Sequence, residues 1–202
     1  MPDAALNKEN VALGKPKIGG AVFRGPIGTT LPTSADATLD AGFLPMGYVS
    51  EDGVVNSNSP SAETIKAWGG AIVKVLYTER PDEFKLTLIE SKRVGVKKAV
   101  YGQNNVSGTL ATGMATSVRN ELPESGSWVI DMVEGTTLKR IVIPEAVVSE
   151  LEDITYKDDD VIGYGVTLLA MTNSDGATHY EYEKTVSGTS GSGGAGRTSG
   201  TS

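Results

Sequence analysis

The residues that could take part in catalysis are few in this 202-residue chain. Acyl-transfer catalysis requires a nucleophile, a base and a group that orients the base. His179 is the only histidine and therefore the only candidate base of this type, and no G-x-S-x-G elbow precedes it. It lies in an alternating segment, on the same face as Glu181 and Glu183. We predict that His179 is an exposed strand residue and not a catalytic base.

Two acidic clusters could in principle bind calcium, which takes six to eight oxygen ligands. The clusters are Glu150, Glu152 and Asp153, and Asp158 to Asp160. Neither has the D-x-D-x-D-G spacing of an EF-hand loop. Paired carboxylates could also serve a glycosidase, but no run of cleft-lining aromatics accompanies them, and Trp68 and Trp128 occupy core-like positions. We interpret the three aspartates as a solvated turn.

The chain contains no cysteine, which excludes disulfides, zinc–thiolate sites, iron–sulfur clusters and thiol catalysis. The absence of cysteine also suits assembly in a reducing cytoplasm. One histidine is too few for a histidine metal cage or a multi-histidine acid–base system. We therefore expect no catalytic, cofactor-binding or metal-ligating residue, and we expect that the protein is not an enzyme.

The formal net charge of −7 argues against tight nucleic-acid binding, because affinity for phosphates comes from Lys and Arg. The charge remains compatible with a surface that DNA passes without binding. No apolar stretch of eighteen residues is present, so we expect no membrane insertion. The segment MPDAALNKEN lacks the basic-then-apolar pattern of a signal peptide, so we expect no cleaved leader.

Composition divides the chain into three parts. Residues 1–60 are rich in turn formers with short apolar pieces between them, and we expect an arm or loop region that packs on another copy. Residues 61–186 carry the predicted β-sandwich. Residues 187–202 (SGTSGSGGAGRTSGTS) predict a flexible tail, because they contain too little apolar surface to offset the entropy of ordering. The GSGGAG letters lack the strand–helix context of a dinucleotide-binding loop.

Alternating apolar residues and turn-forming residues predict the positions of the strands, the turns and one helix. Gly69-Gly70 suits a tight hairpin between strands at 62–68 and 71–78. Pro81 and the acidic residues after it predict the only helix, Pro81 to Ser91, although Phe84, Leu86 and Leu88 also fit a strand. Further strands are predicted at Ser107–Asn120, Trp128–Glu134, Leu138–Ile143 and Thr178–Lys184, the last preceded by a hairpin turn at Asn173–Gly176.

The run from Ile143 to Met171 reads as strand, acidic turn and strand. Pro144 cannot donate to a β-ladder, so we expect it to end or edge a strand. From Val161 to Met171 both alternating faces are largely apolar. This pattern predicts a strand that is covered on both sides, or one whose second face is buried against another subunit.

Many strands, frequent turns and one helix indicate a mainly β protein. We predict two packed antiparallel sheets, arranged as a sandwich or barrel, with one flanking α-helix.

Approximately residues 40 to 184 resemble the major tail tube proteins of long-tailed bacteriophages. The resemblance lies in the combination of GYVSEDGV with AWGG, followed by PEAVVSE with YKDDDVIGY. It implies a structural virion protein whose six copies close a ring, with rings stacking into a hollow tube that conducts DNA into the host. It further implies that a hairpin around Ile65 to Tyr77 lines the lumen. The N-terminal arm and the loop from Tyr48 to Ser59 would contact the neighbouring ring.

The same resemblance implies the partners of the protein: other copies of itself, tape measure, terminator and baseplate proteins, and genomic DNA only in passage. It implies location in the virion tail after assembly in the host cytoplasm. Three alternatives remain open from the sequence. They are a single-ring tail component of the same fold such as a terminator or baseplate protein, a carbohydrate-binding sandwich, and a cryptic hydrolase that depends on His179.

Overall fold

The computed structural model of the protein describes residues 10–186. The tail predicted at 187–202 and the first nine residues lie outside the described residues. The strands are β1 (Val22–Gly25), β2 (Leu44–Pro45), β3 (Val49–Ser57), β4 (Ser61–Lys66), β5 (Ile72–Glu79), β6 (Glu83–Leu88), β7 (Val106–Thr109), β8 (Gly113–Thr116), β9 (Gly126–Glu134), β10 (Thr137–Leu151), β11 (Tyr164–Ala170) and β12 (Tyr180–Thr185). Helix α1 spans Val94–Tyr101, and a 3₁₀ turn follows at Gln103–Asn105.

One antiparallel sheet carries most of the strands, in the order β2-β1-β9-β10-β11-β6-β3, and β12 pairs with β10. Strand β10 joins the two halves of this sheet. Its first part pairs with β9 and β12, and its last part, from Ala146, pairs with β11. The register shifts by a bulge between Ile143 and Ala146. A bulge of this kind lets a strand turn a corner between two packed layers.

The main core fills the space between the two halves of the sheet and helix α1. Alternate residues of β6 (Phe84, Leu86 and Leu88) and of β11 (Tyr164, Val166 and Leu168) point into this core. Strands β9 and β10 also bury their other face, where Val129 and Val142 pack with Phe43. The prediction of a mainly β fold with antiparallel sheets and a single helix is confirmed for the described residues.

The position of the helix was predicted wrongly. Most of the segment Pro81 to Ser91 forms strand β6, because its period-2 apolar residues pair with β11 on one side and β3 on the other. The helix lies further on, at Val94–Tyr101, where Val96, Ala99 and Val100 face the core at helical spacing. Its β-branched residues gave no helical signal, since they have lower helix propensity than straight-chain residues.

Three further predictions need correction. Pro144 does not end a strand, because β10 runs through it at the bulge, where no ladder N–H is needed. The turn at Asn173–Gly176 forms, but it is not a hairpin turn, because β12 pairs with β10 instead of β11. The segment Ser107–Asn120 is not one strand. It contains all of β7 except its first residue, followed by a turn and then β8. These two strands form a small hairpin.

Two other strand predictions are confirmed. The predicted hairpin around Gly69-Gly70 is present as β4 and β5. The strand predicted from Val161 begins at Tyr164 as β11, and Val161 itself is exposed. From Tyr164 to Leu168 the strand is buried on both faces, and this chain itself supplies the cover. The predicted boundary at residue 60 falls just before β4, while β1, β2 and β3 on its N-terminal side are strands of the main sheet.

A buried ion pair fixes part of the N-terminal region to the sheet. The Arg140 guanidinium donates to both carboxylate oxygens of Asp131, at 2.6 and 2.8 Å. Its remaining nitrogen donates to the carbonyl oxygens of Ser34 and Ala37. Because every guanidinium nitrogen has a partner, the pair is satisfied inside the protein and clamps residues 34–37 against the sheet.

Candidate assembly interface

The hairpin formed by β4 and β5 is the most exposed regular structure in the described part of the chain. The two strands pair only with each other, outside the main sheet. Every residue of both strands is exposed. Gly69 and Gly70 form the turn with φ values of 105° and 92°, a backbone region that residues with a side chain rarely adopt. The hairpin therefore projects from the body of the protein.

The pairing register separates the hairpin into two unlike faces, because directly opposed residues of paired strands share a face. Ala62 lies opposite Tyr77, and Thr64 lies opposite Val75. With Val73 these residues form an uncharged surface, which we call the apolar face. The other face contains Glu63 opposite Leu76 and Ile65 opposite Lys74, and we call it the mixed face. The register shifts near the turn, where Lys66 pairs with Ile72.

The apolar face has no partner within the described chain. Val73, Val75 and Tyr77 are 62%, 61% and 65% exposed. Soluble monomeric proteins rarely expose a large contiguous patch of apolar side chains, and such a patch commonly marks an interaction surface. A solitary two-stranded hairpin is also marginally stable by itself. The apolar face is therefore a candidate surface for contact with another molecule.

The two tryptophans occupy opposite environments. Trp128 is buried in the main core at 1% exposure, as its core-like position predicts. The same prediction for Trp68 is wrong: it lies at the hairpin tip and is fully exposed, at 107%. Alternation identified a strand, but it does not say whether anything packs on either face.

A polar cluster holds the root of the hairpin. Asp82, which connects the hairpin to β6, is buried and accepts hydrogen bonds from Asn56 at 2.7 Å and Thr178 at 2.6 Å. Nδ1 of His179 lies 2.5 Å from the same carboxylate. Burial acts to raise the pKa of Asp82, but the three hydrogen bonds outweigh it, and the pKa lies below its usual value. The cluster fixes the direction in which the hairpin leaves the sheet.

His179 is therefore not the exposed strand residue that the sequence predicted. Its side chain is 14% exposed, and its ring packs edge-on against Phe84. The residue lies just before β12, and its partner Asp82 is distant in sequence, so no local pattern could have revealed the contact. No serine hydroxyl hydrogen-bonds to the ring among the described residues.

The acidic clusters do not come together into a metal site. Glu150 accepts a hydrogen bond from Thr167, and Glu152 lies over Gly165. Asp158 to Asp160 form an exposed bend, in which Asp160 accepts a hydrogen bond from the N–H of Val161 at 2.8 Å. Within residues 10–186, no group of three or more acidic or histidine side chains is arranged to hold a metal ion.

The exposed bend borders a groove of about 630 Å³ at the far end of β6. Its apolar lining residues are Ile89, Leu110, Val161 and Ile162, and its charged ones are Glu90, Lys92, Arg93, Lys157 and Asp160. Leu110 belongs to the tip of the β7–β8 hairpin and is exposed. The long hairpin enters β6 at Glu83, whereas the groove begins just after Leu88, where β6 ends. The hairpin root and the groove therefore lie at opposite ends of the same strand.

The sequence predicted the hairpin but not the residues that hold its root. Asn56 and Asp82 gave no signal, because their contact depends on tertiary packing. The dipeptide Gly69-Gly70 beside Trp68 was a usable signal, since a large apolar residue at a two-glycine turn has little local structure to pack against. No helix in residues 10–186 is both long and apolar enough to cross a membrane.

Comparison with protein families adds independent information to this geometry. Residues 4–187 match the family described as phage tail tube protein. The match covers most of the chain, including the whole main sheet and the projecting hairpin. The resemblance read from the sequence motifs is thereby confirmed. A comparison with curated proteins found no match.

Proposed function

The chain belongs to the phage tail tube protein family, and on that premise we propose that it is the repeating subunit of a tail tube. As a member of this family it is a structural protein of the phage tail. In our proposal, six copies close a ring, and rings stack into a hollow conduit through which the genome is ejected. Tape measure, terminator and baseplate proteins would contact the assembled tube, and assembly would take place in the host cytoplasm.

The observation that carries the proposal is the projecting hairpin with its uncovered apolar face. A subunit that assembles with copies of itself can cover such a face without exposing it in the finished particle. The contact would be heterologous, joining different surfaces of two copies, and heterologous contacts close into rings or extend into helical filaments.

The hairpin also fits the lumen-lining role that the family resemblance implies. Its apolar face would pack on a neighbouring subunit, and its mixed face, with Glu63 and Lys74, would contact the water of the lumen. The net charge of −7 on each copy would limit adhesion of DNA to the tube wall. The segment from Tyr48 to Ser59, predicted from the sequence to be a loop, mostly forms strand β3 at the edge of the main sheet. We propose that this edge and the residues before β1 contact the next ring.

Electron microscopy of the purified full-length protein tests this function. We expect long tubes with a central channel. Single rings would instead support a terminator or baseplate component, and a protein that remains monomeric at high concentration would overturn the proposal.

A pair of variants places the assembly contact on one face of the hairpin. Val75→Glu puts a charge on the apolar face, and we expect it to abolish assembly without changing the unfolding midpoint of the monomer. Ile65→Glu puts the same charge on the mixed face, opposite Lys74, and serves as the matched control, which we expect to assemble. Tubes formed equally well by both variants would contradict burial of the apolar face.

A further inference from the structure

The ring of His179, the only histidine of the chain, lies between two carboxylates from different elements. We propose that His179 is a proton-dependent lock at the root of the projecting hairpin: a proton on Nδ1 holds Asp82, and a second proton on Nε2 adds an ion pair with Glu181. The lock itself is a property of the folded subunit. Its effect on tube assembly rests on the proposed function, in which the hairpin contacts another copy.

The first carboxylate fixes one proton of the ring. Nδ1 of His179 lies within hydrogen-bond distance of Oδ2 of Asp82. Although burial acts to raise the pKa of Asp82, its hydrogen bonds outweigh burial, and the pKa lies below its usual value. The carboxylate is therefore ionised near neutral pH and can only accept a hydrogen bond. Because the ring must donate, the neutral imidazole carries its single proton on Nδ1.

The second carboxylate responds to the other ring nitrogen. Nε2 of His179 lies 3.7 Å from Oε1 of Glu181, within ion-pair distance. The other oxygen of Glu181, Oε2, accepts a hydrogen bond from Nζ of Lys139 at 2.6 Å, which leaves Oε1 facing the ring. A neutral ring with its proton on Nδ1 presents the lone pair of Nε2 to this carboxylate, whereas the protonated ring presents an N–H. Protonation therefore converts an electrostatic repulsion into an attraction.

The remaining neighbours of the ring are uncharged or already paired. Strand β6 contributes the ring of Phe84, which packs edge-on, and Asn56 of β3 and Thr178 donate to Asp82. Lys139 of β10 lies behind Glu181 and also binds Glu183, at 3.0 Å. Arg80, the cation of the hairpin nearest its root, donates to the carbonyl oxygen and the side-chain oxygen of Asn58. Among the contacts of the described residues, Asp82 and Glu181 are therefore the charged groups that face His179 directly.

These charges set the direction of the pH dependence. Histidine side chains change charge between about pH 5 and pH 8. Both carboxylates stay ionised in that range, since the pKa of Glu181 is also lowered, chiefly by its hydrogen bond from Lys139. The second ring proton, and the ion pair that it forms, is therefore present at the acid end of the range and is lost toward pH 8. While it is present, it ties the hairpin root to β12 and, through Lys139, to β10.

Nitrogen NMR of the untagged protein tests the positions of the two protons, because a single histidine gives one pair of ring-nitrogen signals. We expect Nδ1 to stay protonated across about pH 5 to pH 8 and Nε2 to be the nitrogen that titrates. A neutral ring that carries its proton on Nε2 would overturn the lock.

A matched pair of variants tests the ion pair. Glu181→Gln and Glu183→Gln each remove one carboxylate partner of Lys139, but only Glu181 faces the ring. The readout is hydrogen exchange of the Ala170 N–H, which donates to the carbonyl oxygen of Asp82 at the root. Relative to the natural protein at the same pH, Glu181→Gln should exchange about threefold faster near pH 6 and equally fast near pH 8, as expected of a half-exposed ion pair. Glu183→Gln should show the same ratio at both pH values, and a pH-dependent ratio of equal size in that variant would overturn the role of Glu181.

Tube formation by the same proteins connects the lock with assembly. Relative to Glu181→Gln, the critical concentration of the natural protein for tubes should be about threefold lower near pH 6, with no difference near pH 8. Tubes whose critical concentrations coincide at both pH values would overturn the effect on assembly and leave the tube function standing. A protein that forms neither tubes nor rings at any pH would overturn the proposed function, while the NMR and exchange results would still decide the lock.

Discussion

Strands β5 and β10 have similar sequences and opposite environments. The segment Ile72 to Leu76 reads IVKVL, and Leu138 to Ile143 reads LKRIVI, so both combine β-branched residues with one or two cations. In β10 the residues from Arg140 to Ile143 are buried. In β5 every residue is exposed. Similar composition therefore produces a strand in both places. Whether the faces of that strand are covered depends on the strands that pack beside it.

The difference also separates two kinds of stabilisation. Strand β10 contributes to the stability of the single chain, because β9, β11 and β12 surround it. Strand β5 is exposed and contributes little to the stability of the monomer, and in the proposed tube another copy would cover its apolar residues. Substitutions in the two regions should therefore affect different measurements: unfolding of the monomer for β10 and assembly for β5.

The largest expected effect comes from breaking the buried ion pair of β10. Asp131→Ala would leave the Arg140 guanidinium charged and uncompensated inside the protein, at a cost of about 3–5 kcal/mol in the free energy of unfolding. Urea unfolding measures this change. The matched control is Glu181→Ala, which breaks the exposed pair with Lys139 on the other face of the same strand and should cost less than about 1 kcal/mol. Equal losses in both variants would show that burial does not distinguish the pairs.

The second effect compares the same residue type in the two strands. Ile143→Ala removes a fully buried side chain from β10 and should lower the free energy of unfolding by about 2–5 kcal/mol. Ile72→Ala removes an exposed side chain from β5 and should change it by less than about 0.5 kcal/mol. Chemical denaturation of both monomers gives the two values. A cost at Ile72 that approaches the cost at Ile143 would mean that the hairpin packs on its own subunit.

A smaller effect concerns pH and the hairpin root. Because the pKa of Asp82 is lowered in the folded state, its charge stabilises the fold above the unfolded-state pKa of about 3.9, and this contribution is lost as pH falls through the folded pKa. The stability advantage of the natural protein over Asp82→Asn should therefore shrink between about pH 5 and pH 3. Urea unfolding of both proteins across that range tests the sign. An advantage that grows on acidification would contradict it.

The smallest effect on stability is expected at the hairpin tip. Trp68→Phe should change the free energy of unfolding of the monomer by less than about 0.5 kcal/mol, because the side chain is fully exposed. The same variant should remove most of the acrylamide-accessible tryptophan fluorescence and leave the emission of buried Trp128. Unchanged quenching in Trp68→Phe would show that Trp68 is covered in the monomer.

Much of the secondary structure could be predicted from sequence because its signals are local. Gly69-Gly70 marked the long hairpin, and the two apolar faces from Val161 marked β11. The helix could not be located correctly, since Phe84, Leu86 and Leu88 satisfy two periodicities and only pairing with β11 and β3 selects the strand. The candidate interface was found only in part, because the contacts of Asp82 with Asn56 and His179 join segments that are distant in the chain.

The sequence by itself determined the mainly β class, the absence of thiol chemistry and the family to which the chain belongs, because these follow from composition and local motifs. The tertiary structure decided which apolar strands became core and which stayed exposed. It joined the two halves of the sheet through the bulge at Pro144, buried His179 against Asp82 and brought Trp68 to the tip of an uncovered hairpin. The physical reason is that burial depends on which distant segments pack together, and an alternating pattern specifies two faces without naming what covers either one.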